Sequence, residues 1–226
     1  MLARNPSKGY MPRPPRVDVP GFTYHLINRG VKKLPIFHDD NDRQHFMRLL
    51  CQTQNEFPFI LHGYCLMTNH YHLLLQTVKH SLSETMQYLN GLFGALFNKK
   101  NNHVGHVFQG RFHSIVVDTD NYFTTVSRYI HLNPVRAGIV QKPEDYPWSN
   151  YRSILRGTQD PITDSSFLLG YFGKELEKQR SAYRRFVEDA MYKPEPITER
   201  ILFRMRYWAR SPAFLNRQPS LSQNSR

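Results

Sequence analysis

Cysteine is nearly absent. Cys51 and Cys65 are the two in 226 residues, and neither lies in a CxxC pair. No disulfide framework is implied, a thiolate zinc site is disfavoured, and a reducing cytosol is the default setting. Long apolar runs are missing too, so no membrane span is expected. The N-terminus, Met1-Leu2-Ala3-Arg4-Asn5-Pro6, has no apolar core of a signal peptide. These absences predict a cytoplasmic protein without a membrane partner. Acidic residues are scarce: 18 Asp and Glu face 30 Lys and Arg, for a formal charge of +12. Such a surplus predicts a polyanionic partner, nucleic acid first, and association with the nucleoid when DNA is bound. What is present suffices for a core, with 40% hydrophobic and 13% aromatic residues.

Residues 1–20 read as a basic, proline-rich arm, with Pro6, Pro12, Pro14, Pro15 and Pro20 among Arg4, Lys8, Arg13 and Arg16. Apolar alternation predicts strands over 22–29, 59–67, 70–76 and 112–117. Between them, Asp39 and Asp40 cap a helix reaching about Asn55, with Phe46, Leu49 and Leu50 inward. Ser81 and Glu84 form a capping-box pattern before a helix whose apolar side is Leu89, Leu92, Phe93 and Leu96. A third helix starts at Asp118 or Asp120 and is expected to end by Asn133, because Pro134 follows. The order βαββαβ spells a ferredoxin-like α+β fold with an antiparallel sheet. Residues 21–157 form this domain. Residues 158–226 form a helical extension, with one helix expected over 173–191, and a basic tail with six arginines and no acid from Arg200 onward.

Two constellations carry chemistry. His70 and His72 lie two apart on a predicted strand, so both imidazoles share a face and can converge on one divalent ion. The same HxH spacing equally describes two hydrogen-bonded histidines on a half-buried strand. On the third helix Tyr122, Val126, Tyr129 and Asn133 fall along one stripe, which puts Tyr129 and Asn133 one turn apart. A phenol can attack phosphorus and an amide oxygen can complete a metal site. A tyrosine on such a stripe is also ordinary core, and Tyr122 stands beside Tyr129 as a rival nucleophile.

The segment Gly63-Tyr64-Cys65-Leu66-Met67-Thr68-Asn69-His70-Tyr71-His72-Leu73-Leu74-Leu75 resembles the HUH motif of single-tyrosine transposases. Three further blocks resemble that family in the same order: Phe108–Phe112, Arg128–Gly138 and Pro143–Tyr151. The branch it is most similar to is the REP-associated tyrosine transposases, and the match runs from about Arg16 to Gly157. One departure is Thr68, where the family usually shows proline, a change in turn stiffness more than in chemistry.

The resemblance implies an enzyme that cuts and rejoins single-stranded, hairpin-bearing DNA through a 5′-phosphotyrosine. It implies His70 and His72 as metal ligands, Asn133 as a third, and Tyr129 as nucleophile. Either Mg²⁺ or Mn²⁺ suits such a site, since Mn²⁺ accepts imidazole more readily. The candidate DNA contacts are Arg16, Arg29, Phe108, Gln109, Arg111 and Arg136, with the extension and tail arginines adding to the hold on a hairpin. Two other readings share these residues: a hairpin-binding module without cleavage, and a metallonuclease using water. Monomer and homodimer are both compatible with the sequence.

Overall fold

Alternating apolar residues build four strands: β1 (Thr23–Arg29), β2 (Phe59–Met67), β3 (His70–Thr77) and β4 (His113–Val117). They form one antiparallel sheet in the order β2-β3-β1-β4. With α1 (Asp40–Glu56) and α2 (Leu82–Asn101) between them, the connectivity is βαββαβ, as the sequence predicts. The computed structural model describes residues 18–193; the notional tail from 194 and all but the end of the 1–20 arm, including Arg16, lie outside it. The register sets Arg29 opposite His70, Ile27 opposite His72, and Cys65 opposite His72. Side chains alternate across a sheet, so His25, Arg29, Cys65, His70 and His72 share one face while Tyr24, Leu26, Tyr71 and Leu73 line the other.

Helices α1 and α2 cover that second face. Asp39 caps α1, accepting from the Asp42 amide at 2.9 Å, and Ser81 with Glu84 closes a reciprocal capping box on α2. Their buried residues, Phe46, Leu50, Leu89 and Phe93, meet Tyr24, Leu26, Tyr71 and Leu73 in one core. The buried row of α2 is Leu82, Met86, Leu89, Phe93 and Phe97. Leu92 and Leu96, expected in that row, are only half-buried, because the helical period carries the row on through Phe97. Lys100, at the end of α2, reaches Asp42 at 2.7 Å and Asp39 at 3.0 Å, tying the end of one helix to the start of the other.

The histidine face is covered by α3 (Asp120–Arg136), through Phe123, Val126 and Ile130. Thr119, between the two aspartates expected to cap it, provides the cap. The helix also runs one turn past Asn133, through Pro134. The proline lacks the N–H that would bond the Ile130 carbonyl. The Asn133 amide partly replaces it, donating to the carbonyls of Tyr129 at 2.8 Å and Ile130 at 3.5 Å.

Beyond α3, α4 (Tyr151–Arg156) is followed by α5 (Ser166–Gly170) and α6 (Leu176–Glu188). The helix expected over 173–191 is α6, and α5 stands before it as a separate short helix. Gly173, at φ 132°, occupies a backbone region closed to a continuing helix. Leu168, Leu169, Tyr183 and Val187 join the α3 core. The same stretch seals the outer edge of β2. Leu66 N–H donates to Trp148 at 2.9 Å, Asp164 N–H donates to Leu61 at 2.9 Å, and Tyr146 Oη donates to the Leu66 carbonyl at 2.6 Å. An otherwise open strand edge is thereby paired.

Candidate active site

Strand β3 brings His70 and His72 to one face, with ring centroids 5.0 Å apart. His70 Nδ1 donates to Asn69 Oδ1 at 2.7 Å, and Asn69 is itself held by donating to the Lys33 carbonyl at 2.9 Å. His72 Nδ1 lies 3.0 Å from Nε2 of a third histidine, His25, on the neighbouring strand. Burial pushes His25 down to about 3 and His72 well below the ordinary imidazole range. His70 falls to about 4, from burial first and the Arg29 charge second. All three are neutral at physiological pH, the form in which imidazole binds a metal.

From the covering helix, Tyr129 meets this cluster edge-on. Its ring centroid is 5.6 Å from that of His72 and 5.8 Å from that of His25. The Arg136 guanidinium stands 5.7 Å from the Tyr129 ring, at cation–π range. Tyr122 is buried in the apolar cluster with Ile115, Phe123 and Val126. The tyrosine in ring contact with the histidines is therefore Tyr129. His131 is no base for it. Its Nε2 donates to Asn150 Oδ1 at 2.9 Å and its Nδ1 accepts from Tyr183 Oη at 2.6 Å, all buried.

A divalent cation fits the donor set. His70 is tied back through Nδ1, as is His72, which leaves Nε2 on each ring. His72 Nε2 is buried with no hydrogen-bond partner among the described residues. Among the described residues no three His, Cys, Asp or Glu side chains group as ligands.

Phe108, Gln109 and Arg111 line a cavity of about 720 Å³ together with Asn28 of β1 and with Asn90 and Asn98 of α2. The cavity lies on the α2 face of the sheet, away from the histidines; at its rim Gln109 Oε1 accepts from Arg29 Nε at 3.2 Å, and Arg29 pairs with His70 across the sheet. Phe108 is half-buried against Tyr71 and Phe93, whereas Phe112 is a core residue at 6% exposure. Gly30 sits at this junction because a Cβ there would overlap the Leu34 carbonyl oxygen.

The family model described as "Transposase IS200 like" matches residues 18–133, more than half of the chain. The chain belongs to the IS200-like transposase family. Its fold agrees: a REP-associated tyrosine transposase bound to a REP hairpin superposes with a TM-score of 0.57 at 17% identity. That match covers 69% of this chain and 94% of the other. A structure assigned as a transposase from Deinococcus radiodurans R1 aligns at 18% identity and TM-score 0.39, over 52% of this chain and 95% of its own. Among curated proteins none matches.

Within this transposase-family chain, the sequence reading missed His25. The available signal was its alternation with Ile27 and Arg29 on the first strand; what hid it was the pairing of β1 with β3, which no spacing reveals. Also missed were Asn150 and Tyr183, which hold α3 from outside the matched region. No helix of the described residues is long and apolar enough to cross a membrane.

Proposed function

We propose that this protein is a DNA strand transferase that cleaves and rejoins single-stranded, hairpin-bearing DNA with Tyr129 as nucleophile. The observation that carries the reading is the contact of Tyr129 with the His72 ring, on the face that also presents His70. His70 and His72, through Nε2, and Asn133, through Oδ1, would hold a Mg²⁺ or Mn²⁺, whose charge would stabilise a nonbridging phosphate oxygen. The Asn133 nitrogen is engaged with the Tyr129 and Ile130 carbonyls, so its oxygen is the donor end.

Tyr129 Oη attacks phosphorus as the P–O bond to the 3′ oxygen breaks. The phenolic proton is lost and a free 3′-hydroxyl is released. The 5′-phosphotyrosine keeps the energy of the diester, so a 3′-hydroxyl can reverse the step without a nucleotide cofactor. Arg136, against the Tyr129 ring, and Arg29, across from His70, face the phosphate with positive charge. The cavity walled by Phe108, Gln109 and Arg111, on the α2 face of the sheet, suits an unpaired base of the substrate away from the scissile bond, with an aromatic ring and amides to meet it. Support for a hairpin substrate comes from the REP-hairpin complex of the structural relative.

The test is incubation with labelled hairpin DNA and Mn²⁺, followed by denaturing electrophoresis. The expected result is a protein–DNA adduct that chelator and Tyr129→Phe each abolish. Cleavage without an adduct, surviving Tyr129→Phe, would establish a metallonuclease using water. Tight hairpin binding with no cleavage would establish a binding module.

A further inference from the structure

His25 is wholly buried, and its ring lies nearly parallel to that of His72, with centroids 5.2 Å apart and planes 18° apart. Its Nε2 and the His72 Nδ1, 3.0 Å apart, share one hydrogen. Two neutral arrangements are possible. In the first, His72 Nδ1–H donates to His25 Nε2; His25 then carries its own hydrogen on Nδ1, and His72 Nε2 is a bare lone pair. In the second, His25 Nε2–H donates to His72 Nδ1; His72 then carries its hydrogen on Nε2 and cannot bind a cation there.

The surrounding protein does not choose between them. Among the described residues, His25 Nδ1 and His72 Nε2 are both buried without hydrogen-bond partners. Each arrangement therefore leaves one N–H and one lone pair unmet. A cation on His72 Nε2 does choose, because it requires the first. His25 is not itself placed as a third ligand: its Nε2 is taken by His72, and no three-donor group forms among the described residues.

We propose that His25 is a positioning residue for the divalent cation, accepting from His72 Nδ1–H and so holding His72 in the tautomer whose Nε2 is open. The proposal rests on the reading of His70 and His72 as ligands. Its partner atom lies on a different strand, so the β1–β3 register becomes part of the metal site's construction. Outer partners of this kind typically set metal affinity by about 10–100-fold.

The experiment is a Mn²⁺ titration of the full-length protein without DNA, with free Mn²⁺ followed by paramagnetic resonance. Wild type, His25→Ala and His25→Gln are compared. The alanine variant is expected to bind about 10–100-fold more weakly, and the glutamine variant, whose amide oxygen accepts the same hydrogen bond, to recover most of that loss. Equal affinity in wild type and His25→Ala overturns the proposal while leaving the ligand pair intact. A loss that glutamine does not recover also overturns it. Absence of Mn²⁺ binding by the wild type overturns the ligand pair and the proposal together. Should His25→Ala not fold, histidine ¹⁵N spectra of the wild type saturated with Mg²⁺ decide. Hydrogen on His72 Nδ1 is expected, and hydrogen on His72 Nε2 overturns the proposal.

Discussion

At the scale of single residues, Asn150 and His131 show how much of this site is held by buried polar atoms. Asn150 Oδ1 accepts from His131 Nε2 at 2.9 Å and from the Tyr64 amide at 3.0 Å, and its Nδ2 donates to the His62 carbonyl at 3.3 Å. Asn150→Ala strands all three partners, and about 2–4 kcal/mol of stability is expected to be lost by urea denaturation. Burial pushes His131 down to about 4. Because the unfolded chain takes up a proton near pH 6.5 and the folded one does not, the stability from neutral His131 is present above pH 6.5. It is lost progressively as pH falls towards 4, roughly 3 kcal/mol across that window. Denaturation midpoints between pH 7 and 4.5 measure this, and His131→Gln is expected to flatten the slope. At Tyr122, buried in apolar packing, Tyr→Phe is expected to leave adduct formation intact.

At the scale of elements, α3 is the part that matters, since it carries Tyr129 against the histidine rings and Arg136 against Tyr129. A chain of hydrogen bonds fixes it from behind: Ser127 Oγ meets Tyr183 Oη at 2.7 Å, and Tyr183 in turn meets His131. Tyr183→Phe leaves Ser127 and His131 unmet and is expected to cost about 1–3 kcal/mol, read as a lower denaturation midpoint, with the adduct still formed at 20 °C. Elements were the most legible level of the sequence. Alternation located β2 from Phe59 to Met67, and Ser81 with Glu84 announced the start of α2. The extent of α3 was not legible, because a side-chain amide from Asn133 stands in for the missing proline N–H. Nor was His25, whose neighbour is 47 positions away and depends on strand register.

At the scale of the whole molecule, the helices after Gly157 belong to the core. Leu168, Leu169, Tyr183 and Val187 are each 2% exposed or less. At about 1.5–3 kcal/mol for each fully buried side chain, together they are worth roughly 6–12 kcal/mol. A whole domain's stability is about 5–15 kcal/mol. A chain truncated after Gly157 is therefore expected to lose its cooperative thermal transition, so the extension's part in holding DNA is better tested by point substitution of its arginines. The charge of +12 over the full chain predicts hairpin affinity that falls steeply with salt. The central claim, that Tyr129 becomes bonded to DNA, is tested most directly by trypsin digestion and mass spectrometry of the protein after reaction with hairpin DNA and Mn²⁺. The peptide 129–136, released between Arg128 and Arg136, is predicted to carry a 5′-phosphonucleotide on Tyr129. A nucleotide on any other residue, or cleaved DNA with an unmodified peptide, would contradict it.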